Sequence, residues 1–361
     1  MFLWFLYPLH EDVSWLNVLR YITFRSAYAG LSALALSFLL GPPLVGWLRA
    51  FKIRQTIRQD GPATHLGKSG TPTMGGLLIL AAIVVPTLLW GNLSNRYVLL
   101  ILTSTIWLGI WGFVDDYLHI VKKNPKGLLG RYKMLMQLAL GLAVGTYLYL
   151  NPIYPPAATK TAIPFLKNVF LDFGIFYIPF VAIVITGASN AVNLTDGLDG
   201  LAAGTVAIAA VAFAGLAYVT GHARFSGYLN ILYLSGTGEL TVFLAAMVGA
   251  ALGFLWYNSN PASVFMGDTG SLALGGALGT AAVLLKREFL LVVIGGIFVI
   301  EALSVIIQVV SYKTRHKRVF KMSPIHHHFE LCGWPEQKVV VRFWIIAALF
   351  ALLSLSTLKL Q

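Results

Sequence analysis

Charge is what this chain has least of. Only 11% of its 361 residues are charged against 57% hydrophobic, and the mean hydropathy is +0.76. A water-soluble domain could hardly cover itself with so little polar surface. Cysteine is nearly missing as well, and the single Cys332 excludes both an intramolecular disulfide and a cysteine-built zinc cage. There is no low-complexity tract and no internal repeat of the kind that inverted-repeat transporters carry. No polar stretch is long enough for a soluble nucleic-acid-binding domain, so no nucleic-acid partner is expected despite a net charge of +12. The apolar stretch Met1 to Leu9 lacks a positive n-region and a small-residue cleavage site, so no removable signal peptide is expected. Acidic residues number only 14, which makes the places where they gather informative.

What is there is a succession of apolar runs: 22–47, 73–90, 97–114, 132–150, 174–189, 200–219, 239–257, 269–286, 289–311 and 339–358. Each approaches the roughly 20 residues that cross a bilayer as a helix, and none alternates as a barrel strand does. They predict an all-α integral membrane protein, a polytopic bundle of about ten transmembrane helices forming one transmembrane domain over residues 1–361. Glycines and polar residues interrupt the fifth and eighth runs. The connections 48–72, 115–133 and 312–338 hold five, five and six of the 26 lysines and arginines, which places them on the cytoplasmic side. The basic excess also suits contact with anionic membrane lipids.

The polar motifs all fall on that side. Asp115 and Asp116 end the third run; taken alone they are either a solvated helix end or a metal- or proton-binding pair. Asn190, Asn193, Asp196 and Asp199 recur at three-residue spacing, and the Asp-Gly steps at 196–197 and 199–200 are expected to break the helix and turn carboxylates and amides toward a ligand. Asp268, in Gly267-Asp268-Thr269-Gly270-Ser271, is a candidate N-cap; a carboxylate at such a helix start could also hold Mg²⁺ against a phosphate bound by free N–H groups. Just upstream, Asn258 and Phe265 offer an amide and a stacking face for a base. The loop from His65 to Gly76, with Lys68 and Thr73, suits an anion without being a Walker A segment. Lys122, Lys123, Lys126, Arg131 and Lys133 could neutralise phosphate oxygens, although a positive-inside loop looks the same.

Between the last two runs stands Pro324-Ile325-His326-His327-His328-Phe329-Glu330, a basic loop with three adjacent histidines. Consecutive residues diverge, which argues against a zinc site and for imidazoles that hydrogen-bond a diphosphate or act as a general acid. Glu301 and Gln308, seven residues apart inside the ninth run, share a face and read as pocket residues.

Together, the Lys68–Gly76 loop, Asp115-Asp116, Asn190 through Gly200, Gly267–Ser271 and the triple-histidine segment resemble the polyprenyl-phosphate N-acetylhexosamine-1-phosphate transferases, over essentially the whole chain. The histidine segment, with Gly333-Trp334 and Arg342–Ile345, is similar to the muramoyl branch of that family rather than to the branch that uses UDP-N-acetylglucosamine. The resemblance implies ten transmembrane helices in the bacterial inner membrane, a cytoplasmic active site, Mg²⁺ and a homodimer. It implies transfer of phospho-N-acetylmuramoyl-pentapeptide from its UDP-linked donor to undecaprenyl phosphate, with loss of UMP. It implies that Asp268 binds the metal, that Asp115 positions or deprotonates the lipid phosphate, and that Asp116 is its essential neighbour. Lys68, Thr73, Asn190, Asn193, Asp196, Asp199, Asn258, Phe265 and Gln308 then form the nucleotide pocket, while His326 and His327 face the diphosphate or sugar. One departure is His119, where the family commonly has lysine; Lys122 and Lys123 lie one turn on and are candidates to compensate. A sibling N-acetylglucosamine-phosphate transferase is the nearest alternative. An ion-coupled transporter is the remote one, and its ionisable groups should sit near mid-bilayer instead of at helix ends.

Overall fold

The computed structural model describes residues 1–51, 70–122, 124, 127–166 and 169–359. In a bilayer every backbone N–H and C=O must be satisfied within its own segment, so the apolar runs fold as helices. In chain order these are α1 (Phe2–Phe5), α2 (Ile22–Ala50), α3 (Gly76–Trp90), α4 (Arg96–Asp116), α5 (Gly130–Leu150), α6 (Tyr177–Thr195), α7 (Leu201–Thr220), α8 (Ala223–Leu229), α9 (Leu240–Asn258), α10 (Gly267–Leu284), α11 (Glu288–Ile294), α12 (Gly296–Arg315), α13 (Ile325–Leu331) and α14 (Glu336–Ser356).

Among the described residues eight helices are long and apolar enough to cross a membrane, and they cover eight of the ten predicted runs, the fifth included. The other two are α3, an apolar helix of 15 residues, and α10. The ninth run is not one helix as expected. It breaks at the Gly295–Gly296 pair into α11 and α12, because two adjacent glycines stiffen the backbone least and Gly296 lies against the Phe350 ring, where a Cβ would collide.

α10 is the axis of the bundle. It packs on α3, α4, α6 and α7, and every residue from Thr269 to Leu284 is buried. Small residues let this happen. A Cβ at Gly112 of α4 would overlap the Asp268 carbonyl, and one at Gly76 of α3 would overlap Gly270, so both neighbours touch the α10 backbone itself.

At the end of the bundle away from Asp268, a buried ion pair and buried hydrogen bonds tie the helices. Arg25 of α2 donates both terminal nitrogens to Glu239, at 2.7 and 2.6 Å. Lys286, between α10 and α11, donates to the Tyr177 hydroxyl (2.7 Å) and the Ala158 carbonyl (2.7 Å). Nearby, β1 (Lys160–Ala162) and β2 (Phe170–Asp172) form an antiparallel hairpin, pinned where Thr161 donates to Glu288.

Candidate active site

Four helix ends converge at the other end of the bundle: the C-termini of α4 and α6 and the N-termini of α5 and α10. α6 stops where the sequence predicts, with Asp196 as its C-cap, and the chain re-enters α7 after Gly200 at φ +79°, a left-handed conformation that glycine adopts without strain. This turn aims Asn193 and Asp196 at α10.

Asp268 is the centre of the cluster. One of its oxygens accepts from Asn193 Nδ2 (2.6 Å), and the other accepts from the Lys133 ammonium. Asn193 also donates to Ser271 Oγ (2.8 Å). Lys133, in the first turn of α5, donates as well to Asp115 Oδ2 (3.0 Å), so one cation bridges two carboxylates from different helices. The Leu128 N–H (2.6 Å) holds the other Asp115 oxygen.

Asp268 is not the N-cap of α10, contrary to the sequence expectation. It sits inside the first turn, after Gly267 at φ +74°, and the capping role falls to Asp116 on α4. The buried Asp116 carboxylate accepts from Asp268 N (3.0 Å), Thr269 N (2.9 Å) and Thr269 Oγ1 (2.6 Å). The helix-start amides expected to be free for a phosphate are therefore taken by a carboxylate, with the favourable charge–dipole sign. The Gly267 N–H goes to Asp196, whose carboxyl is pushed up to about 7 by burial and then by the negative charges of Asp268 and Asp116.

Other expected site residues occupy a surrounding tier. Asn190, a turn below Asn193, exchanges hydrogen bonds with the buried Gln137 (2.7 Å from Asn190 Nδ2). Asp199 accepts from Asn260 Nδ2 (3.2 Å) and Ala262 N (3.1 Å). Asn258 is buried, with its amide engaged by the Gly200 N–H (3.0 Å) and the Val264 carbonyl (2.9 Å). Gln308 likewise holds the Val319 and Phe320 amides (3.0 and 2.9 Å) and the Phe320 carbonyl (2.9 Å). Both amides serve protein backbone here, not an open pocket. Thr73 is buried in the segment that pairs with 265–266, where Gly75 and Gly76 donate to Phe265 O (2.9 Å) and Met266 O (2.8 Å). Those two amides are thus not free for an anion, and Phe265 is anchored by its backbone with a half-buried ring. Lys68 lies outside the described residues.

The three histidines are not in a loop but in the short helix α13, started by Pro324, and they diverge as consecutive helical residues must. His326 is 0% exposed; its Nδ1 lies 3.1 Å from Glu301 Oε1 of α12, and its Nε2 edge presses on Gly197. It faces the protein interior under the Asp196–Gly200 turn. His327 pairs with Glu330 (2.8 Å), and His328 Nδ1 accepts from Lys321 N (3.2 Å).

Sequence reasoning passed over Lys133 as one of several interchangeable loop cations. Lys133 reaches the carboxylates; of the two lysines named as candidates to compensate for His119, Lys122 is exposed and Lys123 lies outside the described residues. Gln137, Thr269 and Ser271 were missed for the same reason, because only three-dimensional neighbours distinguish them.

The arrangement suits a hard cation. Among the described residues no group of three or more His, Cys, Asp or Glu side chains could hold a metal ion. Mg²⁺, however, is ordinarily held by one or two carboxylates together with substrate phosphates and water. Asp115 and Asp268 already converge on one positive charge, the Lys133 ammonium, so the donor set fits.

Residues 98–286 match the family described as glycosyl transferase family 4, and residues 68–80 match a phospho-N-acetylmuramoyl-pentapeptide-transferase signature. Full-length relatives carry that enzyme's name. The one from Thermodesulfovibrio yellowstonii is 57% identical over 357 residues, and that from Pelobacter propionicus is 58% identical over 356. A third, from Geobacter sp. (strain M21), is 58% identical over 356 residues; each alignment covers 99% of both chains.

Proposed function

The chain belongs to the phospho-N-acetylmuramoyl-pentapeptide-transferase family, and from that membership we propose that it transfers phospho-N-acetylmuramoyl-pentapeptide from the UDP-linked donor to undecaprenyl phosphate, giving lipid I and UMP at the cytoplasmic face of the bacterial inner membrane. The observation that carries this reading is the cluster in which Lys133 joins Asp115 to Asp268 while Asn193 holds the other Asp268 oxygen. Carboxylates and a cation at the end of a membrane bundle suit the meeting of a lipid phosphate with a soluble nucleotide. The lysines and arginines of the connections at this end support the cytoplasmic assignment.

In the proposed step an oxygen of the lipid phosphate attacks the β-phosphorus of the donor. The bond from that phosphorus to the bridging oxygen breaks, and UMP leaves with the electron pair. Mg²⁺ held on Asp268, when bound, supplies charge neutralisation on the diphosphate. Lys133 neutralises further negative charge, and Asp115, anchored by Leu128 N–H, positions the lipid phosphate. That phosphate, near its second pKa of about 6, is already largely ionised and needs no strong base. Both Asp268 oxygens are engaged, by Asn193 and Lys133, which supports a binding role over a covalent phospho-aspartate. Asn193, Asp196, Asp199, Phe265, Lys68 and His327 form the proposed donor side, with Thr73, Asn190, Asn258, Gln308 and His326 supporting it from behind. A homodimer enters this reading from the family resemblance.

The test is release of UMP by purified protein given undecaprenyl phosphate, Mg²⁺ and either the muramoyl-pentapeptide donor or UDP-N-acetylglucosamine. Release with the first donor alone, lost in Asp268→Ala and on chelation, is expected. Release with the second donor alone would reassign the chain to the sibling branch.

A further inference from the structure

Lys338 and Arg342 stand one helical turn apart on α14, on a stripe that continues through Ile345, Leu349 and Leu352. Those three are 55%, 59% and 64% exposed, whereas Val339, Val340, Phe343 and Ala347 on the opposite side are buried against the bundle. In a membrane-spanning helix such an exposed apolar stripe faces lipid. Both cations therefore sit on the lipid-facing side at its site-bearing end, and Arg342 lies about 9 Å along the helix from Glu336.

A guanidinium at that depth is costly unless it reaches the interface or meets an anion. Among the described residues neither cation has a carboxylate partner. Each instead lies over the Trp334 ring, Arg342 Cζ at 4.1 Å and Lys338 Nζ at 5.9 Å from its centroid. Tryptophan favours head-group level, and a cation on an indole face keeps its N–H donors free for an oxygen acceptor. Trp334 in turn stacks on Phe329 of α13, with centroids 4.7 Å apart.

We infer that Trp334, Lys338 and Arg342 form a binding site for the phosphodiester head group of an anionic glycerophospholipid. The occupant comes from the bilayer, since α14 packs chiefly on α7, α11, α12 and α13 and not on the helices that carry Asp115, Lys133, Asn193 and Asp268. Through Phe329 the site fastens the histidine helix to the membrane surface. This inference is independent of the transfer reaction.

The test is native mass spectrometry of the delipidated full-length protein with phosphatidylglycerol, phosphatidylcholine and a polyprenyl phosphate in separate arms. Wild type is expected to hold phosphatidylglycerol in preference to phosphatidylcholine. The Lys338→Gln/Arg342→Gln double variant should lose about 25-fold of that affinity, about fivefold per cation or about 1 kcal/mol each. Polyprenyl phosphate binding should not change. Equal phosphatidylglycerol binding by both proteins, or a loss confined to polyprenyl phosphate, overturns the inference. If the double variant does not fold, the exposed first-turn change Lys338→Gln alone should show the fivefold loss, and its absence is equally fatal.

Discussion

Asp116 and Thr269 hold α4 and α10 together through two bonds: the Thr269 N–H at 2.9 Å and its hydroxyl at 2.6 Å both go to Asp116 Oδ2. Because the Asp268 N–H goes to the other oxygen, Asp116 fixes the first turn that carries Asp268. Asp116→Asn can present only one oxygen to three donors, so it should misplace Asp268 and lower turnover at least about a hundredfold. Thr269→Val removes the hydroxyl alone, worth about 1 kcal/mol or somewhat more to a charged acceptor. It should cost stability in a thermal melt with a much smaller loss of UMP release. A large loss of UMP release in Asp116→Asn with an unchanged thermal melt would mean that Asp116 acts on substrate instead of through α10.

The helices were legible in the sequence because hydrophobic runs must satisfy their own backbones in lipid; α4, α5 and α7, for example, lie within about two residues of their predicted bounds, whereas α6 runs about six residues past its own, through the polar stripe to Thr195. The break at Gly295 was not, since a glycine pair inside an apolar run is common in membrane helices and only the Phe350 contact marks this one. Among site residues the carboxylates stood out because charge is scarce. Lys133 did not, because cationic loops are the rule on one side of any such protein, and reaching Asp268 depends on how α5 sits against α4 and α10. His326 was legible as unusual but not as inward-facing, which follows from Glu301 being its neighbour across α12 and α13.

On the proposed reading, the Lys133 ammonium sits on the Asp268 carboxylate that would hold Mg²⁺. Lys133→Met removes a competing cation as well as a phosphate-neutralising one. It should therefore bind Mg²⁺ roughly tenfold more tightly, a modest share of the Coulomb energy at a partly exposed site, while turning over far more slowly. Calorimetric Mg²⁺ titration beside a UMP-release assay separates the two effects. A parallel fall in both would make Lys133 a purely structural residue.

The Asp196 carboxyl, pushed up to about 7 by burial and by Asp268 and Asp116, binds a proton more readily folded than unfolded, where its pKa is about 3.9. Its contribution to stability is thus fully present below about pH 4 and is lost as pH rises through about 7, at about 1.4 kcal/mol per unit within that window. Metal-free Asp196→Asn keeps the uncharged form at every pH. Its thermal midpoint should fall less than wild type's between pH 5 and 8, so that the gap between the two curves widens with pH. A constant gap would show that Asp196 is already ionised throughout.

Glu301 is fully buried within a membrane helix, and both of its oxygens face α13: Oε2 accepts the Ile325 N–H at 3.0 Å and Oε1 lies 3.1 Å from His326 Nδ1. Since His326 presses on Gly197, the pair supports the turn that carries Asp196 and Asp199. Glu301→Ala leaves the Ile325 N–H without its acceptor in the protein interior and should destabilise the fold by about 1–3 kcal/mol. Glu301→Gln keeps an oxygen for the Ile325 N–H and should fold. Its defect should appear on the donor side, as a raised KM for the UDP-linked substrate with the KM for undecaprenyl phosphate unchanged. A thermal melt checks that the variant is folded before the two titrations are compared. If the lipid KM moves and the donor KM does not, Glu301 supports the acceptor groove and the role given to His326 beneath the Asp196 turn is wrong.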